Sequence, residues 1–593
     1  MFLKTFSQFI KKYAKGYKLK FALIEFFSLL MGGFEFLGLA LIFPFVMLIA
    51  GNNDILHAAK INFLFERINL PLDTKTLAIV FCCTIILIYI LKNIFMIFCT
   101  KYQNDTMANF QTKLYAETFT NLMNCPYQKF NKLSFGDKSV LLSASLNSVV
   151  WCFVHKVILL VSSGIIAACI LLFLFCKFPI PAFFAAIFLS AFVYLEELFF
   201  KKRAKKYGEE NLRLLKVQGS LFQYTIKGAK EIKTSKNKEV FIEDAIQLFR
   251  KVNHYTSLLN SNGTYPIFVT EIGIIISFGI LAGLTFYLQN TGSGYLISSV
   301  AVIAAVVLRL VPILNKVQSS MYSINQSRSY VKFFMETSEK IQSWVELEPK
   351  CETIPFNNSI KLENVSFCYE GNENFNLENI NIEIKKGEFI GIIGLSGSGK
   401  TTLIDILTGL NTPSAGKFLV DNAEITKQNV RGWQNHISIL PQEFFLLPLP
   451  VLQNITFGDK KEETDIEKVI WALKKAEIFE QTKDLNKIPE LSHGQKHRLA
   501  LARAFYRDAD VIFLDEATSS LDIETEDKVS RSIAKLKGEK TIIAIAHRLT
   551  TLKECDALLY MKNGRIIDKG SFRELKEKYP DFENILELSN LDI

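Results

Sequence analysis

Phe389-Ile390-Gly391-Ile392-Ile393-Gly394-Leu395-Ser396-Gly397-Ser398-Gly399-Lys400-Thr401-Thr402 decides the second half of this chain. Five apolar residues in a row predict a buried parallel strand, and the glycine-rich loop after it opens a helix at Thr401. In that context Gly394, Gly397 and Gly399 let the backbone curl so that its N–H groups point at phosphate oxygens. Lys400 then reaches the terminal phosphates and the Thr401 hydroxyl ligates Mg²⁺. Taken alone, this loop specifies phosphate binding and little more, because many unrelated nucleotide-binding proteins carry it.

Two further strings narrow the reading. Leu491-Ser492-His493-Gly494-Gln495 is followed by Val511-Ile512-Phe513-Leu514-Asp515-Glu516, whose apolar part predicts a second buried strand. At its end Asp515 is suited to hold the Mg²⁺ shell. Glu516 is placed to orient or deprotonate an attacking water, since phosphoryl transfer needs positioning and charge neutralisation above all. The competing role for Glu516 is a helix N-cap.

Working outward, the composition points to a membrane. Of 593 residues, 49% are hydrophobic and 21% charged, with fifty phenylalanines. Apolar stretches fall at about 21–50, 75–102, 149–175, 179–200, 265–288 and 296–318, each near or above the roughly 20 residues of a helical crossing. Both ends then share one side. The net charge of +9 is concentrated in the first twenty residues, with six lysines and no acid, and in 201–264, with 14 Lys/Arg against 6 Asp/Glu. Bounded by apolar spans, such blocks read as cytoplasmic loops, not as a nucleic-acid surface, and no base-reading module accompanies them. The first apolar run is too long for a signal peptide and is expected to remain. The ten cysteines form no zinc-type pairing, and Cys82, Cys83, Cys99 and Cys169 read as packing residues.

Taken together, the three strings and the six spans resemble the ABC transporters, in the exporter form that joins membrane domain and ATPase in one chain. The resemblance implies a six-span α-helical transmembrane domain (1–318), a linker (319–355) and an α/β P-loop ATPase domain (356–593), with ATP and Mg²⁺ as cofactors. It implies that His547 in Ile545-Ala546-His547-Arg548 contacts the γ-phosphate, and that Gln442 after Pro441 links Mg²⁺ to the membrane domain. Tyr369 would stack on adenine, and Ser520-Leu521-Asp522 would form the loop that crosses to a partner cassette. Ser492, His493, Gly494 and Gln495 would meet the γ-phosphate held by that partner, so the working unit is expected to be a homodimer of twelve spans.

Two departures from the family pattern stand out. His493 replaces a glycine, so its side chain must point away from the phosphate or contribute its own N–H. The stretch Asn486-Lys487-Ile488-Pro489-Glu490 is shorter than the usual segment that senses the membrane domain. Turn formers at Cys125-Pro126-Tyr127-Gln128-Lys129-Phe130 and at Gly219 to Gly228 mark chain reversals, which the resemblance makes coupling helices; ordinary surface turns are the alternative. An amphipathic pattern at 55–68 fits a helix on the outer membrane surface or one packed on the ends of the spans.

Charged residues inside apolar helices are functional candidates because leaving them against lipid is costly. Glu35, Lys92 and Arg309 qualify. Lys92 and Arg309 lie at similar depth, about nine or ten residues from the cytoplasmic ends, or roughly 15 Å. Two cations at one level suit phosphate or pyrophosphate; the alternative is that each snorkels or pairs with Glu35. Leu308-Arg309-Leu310-Val311-Pro312, Asn315 and Gly33-Phe34-Glu35 resemble bacterial lipid-linked oligosaccharide flippases of the ABC class. The implied cargo is a polyprenyl pyrophosphate-linked glycan, moved across the bacterial inner membrane with the ATPase in the cytoplasm. Export of a lipid, drug or peptide is the rival within transporters, and an ATP-gated channel or regulatory cassette the rival outside them.

Overall fold

The computed structural model describes residues 2–49, 74–288, 293–345, 354–369, 376–460, 464–515, 523–545 and 549–579. The chain divides into two compact units. One comprises Met1–Asn124 and Lys132–Trp344; the other comprises Cys125–Asn131 and Val345–Ile593.

The first unit is helical. Six helices among the described residues are long and apolar enough to cross a membrane, each overlapping one of the six apolar stretches read from sequence. Lipid offers no hydrogen bonds, so a spanning segment must satisfy its backbone internally, as these helices do. Several run far past the apolar stretch: Thr74–Met123 has 50 residues, Pro179–Lys227 has 49, Lys238–Leu288 has 51 and Ser293–Trp344 has 52. The joint between the third and fourth spans is a single residue, Phe178, at φ −136° and ψ 67°, with Pro179 starting the next helix. Proline suits that first position, where its missing N–H is no loss.

The amphipathic N-terminal helix Phe2–Tyr13 is anchored by Phe9, which is fully buried. Its ring lies 6.4 Å from Phe110, 6.5 Å from Phe153 and 6.3 Å from Phe334. Aromatic edges and faces at such distances attract beyond simple area burial.

The chain reverses at Cys125-Pro126, where a six-residue helix, Tyr127–Lys132, stands between the long helix Thr74–Met123 and the equally short helix Phe135–Val140. The second reversal is narrower than the sequence suggests. Helix Pro179–Lys227 continues through Gly219 and ends only at Gly228, after which comes the short helix Ala229–Thr234. Gly219 serves close packing instead: a Cβ there would lie 3.3 Å from the Gly136 Cα, and one on Gly136 would strike the Lys216 carbonyl at 2.1 Å. The other difference concerns 319–344, expected as linker, which is the continuation of helix Ser293–Trp344 and belongs to the first unit. The apparent loss of pattern past 318 is a change of exposure along one helix, not its end. The segment 55–68 lies outside the described residues.

The second unit holds two sheets. Strands β1 (Ser359–Phe367), β2 (Leu377–Lys385), β4 (Ala415–Val420) and β5 (Ala423–Glu424) form an antiparallel sheet in the order β2-β1-β4-β5. The other sheet has the order β10-β9-β3-β8-β7-β6. It is built from β3 (Phe389–Ile393), β6 (Ile437–Leu440), β7 (Val511–Asp515), β8 (Thr541–Ile545), β9 (Ala557–Lys562) and β10 (Arg565–Gly570). Strands β3, β7 and β8 are buried at every residue and pair in parallel, as their unbroken apolar runs predict. Trp433, fully buried, donates its indole N–H to the Leu407 carbonyl at 2.7 Å, satisfying an acceptor at the end of helix Lys400–Leu407.

Candidate functional site

Parallel α/β sheets gather ligand sites at the carboxyl ends of their strands. Here the glycine-rich loop follows β3, Asp515 ends β7, and Gln442 comes two residues after β6. Register puts these ends level, with Asp515 opposite Ile545 and Ile545 opposite Ile392. Glu516 and His547 come directly after β7 and soon after β8 in the chain but, with Ser520-Leu521-Asp522, lie outside the described residues.

The loop turns on two of its glycines. Gly397 and Gly399 have φ of +78° and +101°, a region that side chains with a Cβ rarely adopt. Gly394 is needed for space, since a Cβ there would lie 2.3 Å from the Met561 carbonyl oxygen. Gly399 caps helix Lys400–Leu407 without a side-chain bond, and a helix N-terminus favours an anion. Leu395 and Ser396 are exposed in the loop, as is Thr401 on the helix, whereas Thr402 and Ser398 are buried. The Ser398 hydroxyl is a buried polar atom without a partner. The Lys400 ammonium is folded back over the loop, donating to the carbonyls of Gly394 at 2.7 Å and Leu395 at 3.1 Å. Tyr369 reaches the same helix, its hydroxyl 3.3 Å from the Thr402 Oγ1 and its ring edge-on to Phe367. A helix N-terminus with no side-chain cap, a buried ammonium and an adjacent aromatic ring fit a nucleoside triphosphate.

Asp515 is 7% exposed. Asp405, on the phosphate-loop helix, is pushed up to about 6 by burial and by the nearby Asp515 charge. A second carboxylate facing this end of the sheet carries no motif and escaped sequence reasoning.

The signature stretch forms a helix N-terminus. Ser492 caps helix His493–Tyr506, its hydroxyl accepting from the Gln495 N–H while the Gln495 side chain accepts from the Ser492 N–H. The His493 ring packs beside an aromatic neighbour. The ring lies 5.7 Å from Phe444, and His497, one turn on, stacks on the same Phe444 at 5.0 Å and 12°. Phe444 is two residues after Gln442, itself exposed, so the His-x-x-x-His spacing ties the signature helix to the segment carrying that glutamine. Two histidines at i and i+4 with an aromatic near the glutamine are the signal that sequence reasoning passed over. The short stretch at 486–490 is anchored too, with the Lys487 carbonyl accepting from the Val451 N–H at 3.1 Å.

Burial, with a contribution from neighbouring His493, lowers His497 to about 4. Above the ordinary histidine value, folded and unfolded chains both hold it neutral. As pH falls from about 6.5 to about 4 only the unfolded chain takes the proton, so up to roughly 3 kcal/mol of stability is lost. Asp405 works in the opposite direction, its burial cost easing as pH drops through about 6. The discriminating measurement is therefore a difference: between pH 7.5 and 5, His497→Phe should lose less melting temperature than the wild type. Parallel curves would contradict a buried neutral His497.

In the first unit the two cationic candidates meet at one residue that sequence reasoning did not name. Lys92 is ion-paired with Glu35, at 6% and 7% exposure. The Lys92 ammonium lies 5.2 Å from the centre of the Tyr89 ring, and the Arg309 guanidinium 4.5 Å from it. Gly38 makes room, since a Cβ there would lie 2.9 Å from the Tyr89 hydroxyl oxygen. The two cations are thus unequal: Lys92 is neutralised by Glu35, whereas Arg309 rests on an aromatic ring and is only half-buried.

With this geometry in hand, comparison with known proteins is informative. The ABC transporter family matches residues 377–519. The ATP-dependent lipid A-core flippase of Wigglesworthia glossinidia brevipalpis is 36% identical over 247 residues, 40% of this chain and 42% of that one. The β-(1→2)glucan export ATP-binding/permease protein NdvA of Rhizobium etli is 33% identical over 275 residues, 45% of this chain and 47% of that one. A lipid A-core flippase of Burkholderia mallei is 28% identical over 402 residues, 64% of each chain. The chain thus spans less than half the length of the first two relatives. Over its whole length the fold is similar to a bacterial Atm1-family ABC exporter with ATP bound, with TM-score 0.75, 17% identity, and 98% and 99% of the two chains covered. Residues 377–519 thus match an ABC transporter domain, and among the described residues this region follows six helices long and apolar enough to cross a membrane.

Proposed function

We propose that two copies of this chain form an ATP-driven exporter or flippase of the bacterial inner membrane, with a polyprenyl pyrophosphate-linked glycan as cargo. The observation that carries the cargo is Arg309. A guanidinium held over Tyr89, inside a helix that otherwise suits lipid, offers planar donors matched to phosphate oxygens. With Lys92 neutralised by Glu35, each protomer presents one uncompensated cation of this cluster, and a dimer two. The relatives named as lipid A-core flippases and a glucan exporter support a large, amphipathic or sugar-bearing substrate.

For the motor, ATP is the nucleotide that the loop after β3 takes. Its phosphates replace the Gly394 and Leu395 carbonyls as partners of Lys400, and its adenine stacks on Tyr369. Thr401, Gln442 and Asp515 would hold Mg²⁺, which when bound neutralises phosphate charge. Glu516 orients or deprotonates the attacking water, and His547 contacts the γ-phosphate. Ser492, His493, Gly494 and Gln495 of one protomer close on the ATP of the other through the helix N-terminus, the His493 ring staying on Phe444.

Arg309→Ala in proteoliposomes tests the cargo site. Transport of a fluorescent lipid-linked oligosaccharide should fall about 10- to 100-fold, the weight of one charged hydrogen bond at roughly 1.5–3 kcal/mol, while basal ATPase persists. Equal loss of both would make Arg309 structural.

A further inference from the structure

Glu196 belongs to none of the motifs above, yet it is 6% exposed in helix Pro179–Lys227 and meets two other long helices. The Gln318 amide donates to its Oε2. The Thr270 Oγ1 lies 3.0 Å from the same oxygen and 2.7 Å from the Pro266 carbonyl oxygen. A hydroxyl has one proton to donate and lone pairs to accept with. If the Thr270 proton goes to the nearer Pro266 oxygen, nothing remains to lie between Thr270 and Glu196 unless Glu196 supplies it.

The rest of the surroundings point the same way. Glu196 Oε1 is buried without a partner, as is the Tyr322 hydroxyl, and both residues border one small cavity together with Lys201, Gln318 and Asn325. Leaving a carboxylate in such a place costs several kcal/mol, far more than leaving a neutral carboxyl. The titratable groups around the cavity are Lys201, from the helix of Glu196 itself, and Tyr322, from helix Ser293–Trp344. Among the described residues, helix Lys238–Leu288 contributes the uncharged Pro266 and Thr270. We propose that Glu196 is a proton-binding site inside the helical bundle, its Oε2–H donating to Thr270 while the Thr270 hydroxyl donates to Pro266. The site is independent of which cargo the protein moves.

Infrared spectroscopy of the full-length protein in lipid nanodiscs at neutral pH tests this directly. The difference between wild type and Glu196→Gln should contain the C=O stretch of a protonated carboxyl, downshifted in D₂O, and Thr270→Val should shift that band. In the wild type alone, the band should disappear when the pH is raised far enough, a check that requires no folded variant. No carboxyl band lost in Glu196→Gln would overturn the proposal and leave Glu196 a carboxylate with Lys201 as its counter-ion. A band that changes when sodium replaces choline would overturn it in favour of a metal cation in the cavity.

Discussion

Glu516→Gln is expected to bind ATP as the wild type does and to hydrolyse it about 10²- to 10⁴-fold more slowly, the usual weight of a positioned general base. The basis is position: Asp515 closes a fully buried strand whose end is level with β3 and β8, and Glu516 is the next residue. Glutamine keeps size and hydrogen bonding but neither takes a proton nor carries the charge. Nucleotide affinity and turnover measured side by side check it. Undiminished hydrolysis would remove Glu516 as the catalytic residue and leave it the N-cap role.

Lys92→Ala should cost stability, about 3–5 kcal/mol, because it leaves the Glu35 carboxylate buried without its cation. Replacing both partners, Lys92→Leu with Glu35→Leu, should recover most of that loss, since an apolar pair of similar volume needs no desolvation. Thermal unfolding of the three variants in detergent gives the comparison. Lys92→Ala with an unchanged melting temperature and lost transport would mean that Lys92 serves the cargo and not the fold.

These two residues show where sequence was sufficient and where it was not. The strand before the phosphate loop and the run Val511–Leu514 before Asp515 are apolar at every position, a pattern that burial on both sheet faces demands, so these two strands could be placed in advance. Span positions were equally legible, because a length of apolar helix is a local property. Partnership is not local. Lys92 and Arg309 look alike along the chain, but only the packing of helices Lys18–Ile49 and Thr74–Met123 shows that Glu35 meets Lys92, and only Tyr89 distinguishes the two cations. Gly219 misled for a similar reason, since the glycine that would break a helix is the one that lets Gly136 approach it. The sequence left open where the side chain of His493, in place of glycine, would go, because its neighbour Phe444 is distant along the chain.

ATP-dependent movement of a fluorescent lipid-linked oligosaccharide across proteoliposomes, wild type beside Glu516→Gln, bears most directly on the function proposed for this chain. Movement with the wild type alone is the predicted result. Active ATP hydrolysis by the wild type with no movement of that lipid would contradict the assigned cargo.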